Sequence, residues 1–540
     1  MPLPNCCKRA RPRPRWPPPE VESSHTAFQP ADRTLVTALQ QHLQAEAGLA
    51  VSLIETHISW VLLTDRLAYK LKKPVGLPFV DFRTLAARKH FCEEELRLNR
   101  RLAPEIYIDV TAVCGTPDAP HLGAGEPIDY VVRMRRFPEA SLLRNLLLDG
   151  RLRIDQLARF AQRLAQFHDR AAAAALSSAF GTPEQVLRTM KTALAGLSGE
   201  PVAGPLAALR AWVEAQGSAL WTAWAERHCK RFVRECHGDL HLSNVVLIDD
   251  ELTAFDCIEF DPALRWIDVI SDVAFLSMDF KAHGREDLAF RLLDVYLQHS
   301  GDYAAIPVLR AYEVYRALVR AMVARLRDRE CGERATAAGP DYLACAAGLA
   351  TQAGRPAARL MITHGLSGSG KTTIATEVLA SAGAIRIRSD VERKRLFGMQ
   401  PLSRSTDQGH DIYTPEATRR TFDRLWACAR TALQAGYPVI VDAAFLRRDE
   451  RLAFRALAGE LGVPFAILHC EATAAQLRER VAARQSSGTD ASEATLPVLE
   501  RQLATHEPLD EAERATAFHV VSDASLKIAP LVDRWLALKR

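Results

Sequence analysis

Residues 365–372 read GLSGSGKT, the spacing G-x-x-x-x-G-K-[ST]. Chemistry of one kind needs that spacing. Gly365, Gly368 and Gly370 let the backbone N–H groups of the loop, with Leu366, Ser367 and Ser369 between them, turn inward around a β-phosphate. Lys371 adds a point charge on the β/γ oxygens, and Thr372 offers a hydroxyl to Mg²⁺. An apolar run precedes the loop, and Thr373 leads into a segment with Ile374 and Val378 on one face. The loop is therefore expected to join a strand to a helix and to bind ATP. Two carboxylates close later apolar runs in the same half. Asp442 ends PVIVD and could hold Mg²⁺ through water or position a substrate; Asp390 ends IRIRSD. Either could instead cap a helix, a position that favours Asp. Arg480 and Arg484 are four apart on one helix face, able to clamp phosphates as a lid or to form a solvated basic face.

A second constellation lies at residues 237–244, HGDLHLSN. Phosphoryl transfer needs a carboxylate to orient or deprotonate the acceptor hydroxyl, plus oxygen ligands for Mg²⁺. Asp239, Asn244 five residues later, and Asp256 in the next strand-like run FDCIEFD supply all three within twenty residues. H-G-D is also ordinary turn chemistry, but a turn alone has no need of the other two groups.

The elements that must position these residues differ between the two halves. Residues 1–32 carry eight prolines in thirty positions and no apolar periodicity, and read as a disordered tail. Thr34 to Ala47 reads as a helix with Gly48 to end it. Residues 59–75 read as two strands about a turn at Asp65-Arg66, residues 86–104 as a helix stopped by Pro104, and residues 129–137 as a strand, together an α+β unit with a small sheet. From about 140 to 352 the pattern is mostly helical, with one apolar face on Leu157, Phe160, Ala161, Leu164 and Phe167. From 353 onward five apolar strands (RLMITHG, AIRIRSD, YPVIVDAAF, PFAILHC, AFHVVSD) alternate with amphipathic helices, the signature of a parallel doubly wound sheet. The expected units are 33–352 and 353–540. Composition sets limits on both. The 540 residues carry 69 basic and 65 acidic side chains, a net +4, and so give no global signal for nucleic acid or membrane. Eleven cysteines without a C-x-x-C pair argue for reduced thiols in a cytoplasmic protein. No apolar run reaches membrane-spanning length, and the basic N-terminus runs into prolines, unlike a secretory signal.

The motifs GLSGSGKTT, RSDVERKRLFG and VIVDAAFL together resemble small P-loop kinases such as gluconate kinase, chloramphenicol phosphotransferase, polynucleotide kinase and zeta-toxin-type proteins. That resemblance gives Asp390 the role of accepting the substrate hydroxyl proton, with Arg393 nearby for phosphate or substrate. HGDLHLSN, LAQFHDR and FDCIEFDPALRWIDVISDVAFL resemble the aminoglycoside phosphotransferase and choline kinase class of the protein-kinase-like fold. It implies Asp239 as catalytic base, Asn244 and Asp256 as metal ligands, and structural roles for Asp268 and Asp272. AYKLKK resembles the strand with the ATP lysine, which makes it Lys70, or Lys72 on the same strand face. Its partner would be Glu95 rather than Glu93 or Glu94, and YVVRM resembles the hinge to the adenine. The stretch SLIETHISWVLLTD contains no glycine, where the family often has a glycine- or serine-bearing loop over the phosphates. In this order the two modules resemble bacterial bifunctional aminoglycoside phosphotransferase/ATP-binding fusion proteins. The resemblance implies ATP and Mg²⁺ as cofactors and small-molecule hydroxyl acceptors. The first expectation is a bifunctional phosphotransferase. A P-loop kinase with a nucleotide- or ligand-sensing N-terminal domain is the alternative. The neutral charge and lack of an aromatic-basic surface count against a nucleic-acid end kinase.

Overall fold

The structure, a computed structural model of the full chain, describes residues 33–539 apart from 78–79, 198–202, 332–338, 352–356, 404–411, 488–490 and 522–526. The stretch read above as a tail lies outside them. Thr34–Ala47 (α1) stops where Gly48 takes a φ of 66° and its N–H closes on the Gln44 carbonyl, a left-handed turn that costs glycine no Cβ clash. Six antiparallel strands follow: Ser52–Glu55 (β1), Ser59–Leu63 (β2), Leu67–Lys72 (β3), Tyr107–Thr116 (β4), Ala119–Leu122 (β5) and Pro127–Arg135 (β6). Their spatial order is β1-β2-β3-β6-β4-β5. Leu85–Asn99 (α2), capped by the Thr84 hydroxyl on Ala87 N–H at 3.1 Å, joins β3 to β4.

The sheet is larger than the sequence suggested. A register shift between Tyr107 and Asp109 interrupts the alternation of β4, and Asp109 is there to pair with Arg133 at 2.7 Å, so the strand's apolar rhythm is hidden. α2 ends at Asn99 instead of running to Pro104; the chain turns there, and Arg100 donates to Tyr107 O at 3.0 Å and Arg101 to Glu235 O at 2.7 Å. The side-chain period of two sends Tyr69 and Leu71 of β3 into the cluster with α1. Ala68 goes to the opposite face, with Cys92 of α2, and Lys70 and Lys72 share that face.

The helical lobe contains Ile154–Arg170 (α3), the hairpin Val245–Ile248 (β7) and Glu251–Ala254 (β8), then Val269–Ala282 (α4), Glu286–Ser300 (α5) and Ile306–Cys331 (α6). α3 buries Leu157, Phe160, Ala161 and Leu164 as its periodicity predicts. α4 is buried on every side from Val269 to Phe280, so it lies at the centre of the lobe. β8 stops at Ala254, short of the strand read through FDCIEF, because Asp256 adopts a φ of 62° that no ladder accommodates.

The third part is the expected parallel sheet. Leu360–His364 (β9), Ile385–Arg388 (β10), Val439–Asp442 (β11), Phe465–Glu471 (β12) and Ala517–Val521 (β13) pair in the order β10-β11-β9-β12-β13, all parallel. The helices between them include Lys371–Ala382 (α7), Ser389–Leu396 (α8), Pro415–Gln434 (α9), Arg448–Leu461 (α10) and Ala474–Ser487 (α11).

The architecture changes near residue 353, but the apolar core does not break there. One cluster runs from Phe160 of α3 through Leu292 of α5 and Leu309 of α6 to Ile362 of β9 and Val441 of β11. α5 lies against α7 and β10. Asp294 of α5 receives two hydrogen bonds from Arg386 of β10, at 3.1 and 2.7 Å, and both residues are buried. The same guanidinium donates to Thr372 O at 3.1 Å and to Thr376 Oγ1 at 2.6 Å. Tyr303 O–H donates to Arg386 O at 3.1 Å, and Arg424 to Gly301 O at 2.9 Å.

Removing one partner of such a pair leaves a buried charge without compensation, which typically costs about 3–5 kcal/mol. Asp294→Ala should therefore lower the urea midpoint of the full chain markedly. Asp294→Leu combined with Arg386→Met should lose much less than the sum of the single changes. Additive losses in that cycle would show that the two groups do not sense each other.

Candidate functional site

The phosphate loop leaves the central strand β9 and enters α7. Gly365, Gly368 and Gly370 have φ values of 140°, 86° and 84°. A Cβ on Gly365 would collide with the Cys470 carbonyl, and one on Gly368 would lie 2.9 Å from the Leu477 carbonyl. The cradle thus requires glycine for both its turn and its close packing. Lys371 Nζ donates to Leu366 O at 2.8 Å, and burial holds its pKa below the usual lysine value despite the Asp442 carboxylate. Thr372 Oγ1 donates to Asp442 Oδ1 at 3.3 Å. Asp442 Oδ2 is buried and accepts no hydrogen bond, with the Arg386 and Arg388 guanidiniums 3.6 Å away. A hydroxyl and a carboxylate oxygen with spare acceptor capacity, beside a glycine cradle, fit Mg²⁺ carried by a nucleotide.

Around the loop opens a cleft of about 480 Å³, which Thr373, Arg480, Arg484 and Asp390 also line. Arg480 donates to the loop at Gly368 O, 3.3 Å, and Arg484 to Ala494 O, 3.3 Å, on the cleft wall, so this face of α11 is turned to the cleft and not only to solvent. Asp390 is not a helix cap: α8 is capped at Arg388, and Asp390 stands in its first turn among the cleft residues with Arg393 and Tyr413. Sequence reasoning missed Glu450 in the same cleft. Its signal was weak, a glutamate three residues after the α10 cap Arg447, whose N–H it accepts at 3.4 Å.

The other constellation assembles between the sheet and the helical lobe. Lys70 Nζ lies 2.8 Å from Glu95 Oε1 and 2.6 Å from Asp256 Oδ1. Lys72, fully buried, binds Glu95 and Glu259. Glu95 thus holds both lysines, whereas Glu94 pairs with Arg97 and Glu93 with Lys89. Burial works against the Lys70 charge, but Asp256 and Glu95 outweigh it and hold its pKa well above the ordinary value. Burial likewise disfavours the Glu95 anion, and Lys70 and Lys72 reverse that and pull its pKa down. Asp256 N–H donates to Tyr107 Oη at 3.1 Å, and Cys257 N–H to Asn99 Oδ1 at 2.8 Å, which secures the left-handed backbone at Asp256.

In the loop itself, Asn244 Nδ2 donates to Asp239 O and Oδ2, both at 3.0 Å. That leaves the Asn244 side-chain oxygen for another ligand. Burial pushes the Asp239 carboxyl up, but His241 and Arg320 outweigh it and hold it well below the usual carboxylate range. Asp272 accepts from His237 N–H at 2.7 Å and Gly238 N–H at 2.8 Å, and Asp268 pairs with Arg227 at 2.6 Å. Asp272 thus holds the loop's backbone, while Asp268 caps α4 by accepting from Ile270 N–H at 3.1 Å. No motif pointed to Asp279, which accepts from Leu242 N–H at 2.9 Å, or to Arg316, which donates to Gly238 O at 2.9 Å. YVVRM lies inside β6, paired to β3 on one edge and β4 on the other, so its backbone is spent on the sheet. The chain crosses to the helical lobe after Arg135, beyond that segment.

Residues 360–509 match an AAA domain family. The uncharacterized proteins Rv2004c of Mycobacterium tuberculosis and Mb2027c of Mycobacterium bovis are each 31% identical to the chain over 446 residues, which is 81% of this chain and 87% of theirs. The chain belongs to the family of these mycobacterial proteins. Its N-terminal part, an antiparallel sheet packed on a helical lobe, is followed by an AAA domain built on a parallel sheet and carrying the phosphate-loop motif. Similar solved structures include a choline/ethanolamine kinase family protein from Mesorhizobium loti, at 14% identity over 59% of this chain and 93% of that one, with a TM-score of 0.36. A gluconokinase from Sinorhizobium meliloti is 20% identical over 33% of this chain and 90% of its own, with a TM-score of 0.24. Among the described residues no helix is long and apolar enough to cross a membrane.

Glu450 yields a test of the cleft. Burial raises its carboxyl from 4.5 to about 7. A raised folded value means that folding favours the protonated form. Its contribution to stability is full below the unfolded value of 4.5 and is lost as pH rises through about 7. Glu450→Gln cannot ionise, so between about pH 5 and 8 the melting temperature of wild type should fall relative to the variant. Parallel pH profiles would show that Glu450 is solvated.

Proposed function

We propose that the chain is an ATP-dependent phosphotransferase of the cytoplasm with two transfer sites, each passing the γ-phosphate of ATP to a hydroxyl of a small molecule. The observation that carries this reading is Lys70 bridging Glu95 and Asp256, at the mouth of a loop where Asn244 orients Asp239. A cation for phosphate, two oxygen groups for a metal and an ionised carboxylate for the acceptor are brought together from elements far apart in sequence.

In the kinase-like site Lys70 would meet the phosphates, held in place by Glu95, and Asn244 and Asp256 would hold Mg²⁺. Lys72, enclosed by two carboxylates, supports Glu95 from behind. Asp239 has so low a pKa that it is ionised at any physiological pH. Its first task is to accept a hydrogen bond from the acceptor hydroxyl and aim an oxygen lone pair at the phosphorus; it takes the proton only as the new P–O bond forms. In the second site the loop of residues 365–373 and Lys371 would cradle the nucleotide, with Arg480 and Arg484 closing over it. Thr372 and Asp442 would hold Mg²⁺, and Asp390 would face the acceptor. Mg²⁺, when bound, would neutralise phosphate charge in both sites.

One observation favours a second reading, in which the N-terminal part senses nucleotide or ligand without turnover. The β1–β2 hairpin, where the family often has a phosphate-covering loop, closes tightly on itself. Thr56 N–H donates to Ser59 O at 2.9 Å and Ser59 N–H to Thr56 Oγ1 at 3.0 Å. Those groups cannot also bind phosphate.

The two readings part in the full chain. Lys371→Ala should remove one of two Mg·ATP equivalents in a binding titration. In that background, ADP release against a panel of hydroxyl compounds reports the N-terminal site. Adding Asp239→Asn should leave the remaining equivalent bound and lower turnover by roughly two to four powers of ten, the range for losing a general base. Asp256→Asn should instead weaken the Mg²⁺-dependent binding. Binding of Mg·ATP with turnover indifferent to both changes would sink the enzyme reading of this half and leave the sensor.

A further inference from the structure

Three adjacent strands of the parallel sheet, β9, β12 and β13, carry a histidine at the same level. His364 is the register partner of His469, and His469 of His519. The side-chain period of two places Glu471 on the same face as His469. Cys470 between them points to the opposite face, toward Lys371. The row therefore lies across the sheet from the P-loop helix and takes no part in the phosphate site.

The rings are close. His364 and His469 have centroids 4.7 Å apart with Nδ1···Nδ1 at 2.7 Å, and His469 and His519 have centroids 5.1 Å apart. His469 Nε2 is 2.6 Å from Glu471 Oε1. One ligand atom each from His469, Glu471 and His519 lie within 4.8 Å of one another. Donors about 2.0–2.1 Å from a tetrahedral ion are themselves about 3.3 Å apart, so modest side-chain rotations close the set. Glu471 and His519 are exposed, which gives an ion an approach from solvent and an open position for water.

We propose that His469, Glu471 and His519 form a binding site for a transition-metal dication of the Zn²⁺, Co²⁺ or Ni²⁺ class, which ties the edge strand β13 to β12. Two imidazoles and one carboxylate suit these borderline ions and not Mg²⁺, which prefers oxygen alone. His364 supplies the outer hydrogen bond that such ligands commonly have. In the metal-free state the Glu471 carboxylate accepts, so His469 carries its proton on Nε2 and receives one from His364 Nδ1. An ion on His469 Nε2 reverses both tautomers: His469 donates from Nδ1, and the His364 proton moves to Nε2, the buried atom that has no partner now. Two protons are present before and after, so the exchange balances without release.

The test uses the full chain, stripped with chelator and free of nucleotide. Zn²⁺ is titrated calorimetrically, and Co²⁺ by its visible absorption, into wild type, His519→Ala and Glu471→Gln. Both substitutions are at exposed positions and leave the core intact. Loss of an outer partner alone typically weakens metal binding about 10–100-fold, so loss of a ligand should weaken it at least tenfold. Wild type should bind one equivalent more than His519→Ala, and Zn²⁺ should raise its melting temperature but not that of the variant. Glu471→Gln should show the same class of site at least tenfold weakened. Equal stoichiometry and affinity in all three proteins would overturn the proposal, as would a cobalt spectrum of cysteine-thiolate character that both substitutions leave unchanged. Absence of any binding to wild type at tens of micromolar metal would overturn it too.

Discussion

The ion pair of Asp294 with Arg386 is the contact on which the arrangement of the whole chain turns. Arg386 reaches from it to the first turn of the P-loop helix, through Thr372 O and Thr376 Oγ1, and stands beside Asp442. Asp294 belongs to α5, and two residues along that helix Tyr296 Oη meets His168 Nδ1 at 3.0 Å. His168 in turn faces Asp272, the carboxylate that receives the two N–H groups of His237 and Gly238. One helix thus backs both candidate sites. A buried guanidinium with four acceptors is held in a single geometry, since losing any one would leave a donor unsatisfied in a low-dielectric interior. The position of the P-loop helix relative to the helical lobe is fixed by chemistry as well as by packing.

The two sites differ in how they treat charge. In the N-terminal site Lys70 and Lys72 face Glu95, Glu259 and Asp256, two cations against three carboxylates, nearly all enclosed by protein. The surplus of acceptor oxygen there favours the arrival of a cation. Around the phosphate loop the balance is reversed: Lys371, Arg388, Arg393, Arg447, Arg480 and Arg484 line a cleft with the three carboxylates Asp390, Asp442 and Glu450. Burial already disfavours the Lys371 charge, so an incoming polyphosphate relieves an existing imbalance.

What the sequence revealed, and what it hid, follows from how far each feature reaches along the chain. The α1 helix with Gly48 behind it, the glycines of residues 365–370, the five parallel strands and the loop of residues 237–244 are local patterns, and all are present in the structure. The β4 strand was hidden by a bulge and a cross-strand ion pair, both non-local. The choice between Lys70 and Lys72 stayed open because alternation puts both on one face. Only the fold reveals that Lys72 is sealed between two glutamates, while Lys70 also reaches Asp256. Asp279 and Arg316 act through backbone atoms far away in sequence, and no spacing rule finds such contacts; Glu450 bonds locally to Arg447 N–H, and only the fold carries it into the cleft. The row of His364, His469 and His519 exists only through strand register across gaps of 105 and 50 residues.

The left-handed backbone at Asp256 shows why the site of Lys70 and Asp256 cannot be understood from motif alone. A non-glycine residue in that region costs of order 1 kcal/mol or more, and it persists only where its surroundings over-determine it. Here they do: Tyr107 from β4 accepts the Asp256 N–H, Asn99 at the end of α2 accepts the next one, and Lys70 from β3 holds the carboxylate. The three restraints come from three elements of the sheet lobe, while Asp256 itself leaves a hairpin of the helical lobe. The strained turn therefore exists only while the lobes are docked, and the carboxylate faces Lys70 only while the turn exists. Lobe docking and the assembly of this cluster are one event, so any motion that parts the lobes must also dismantle the cluster.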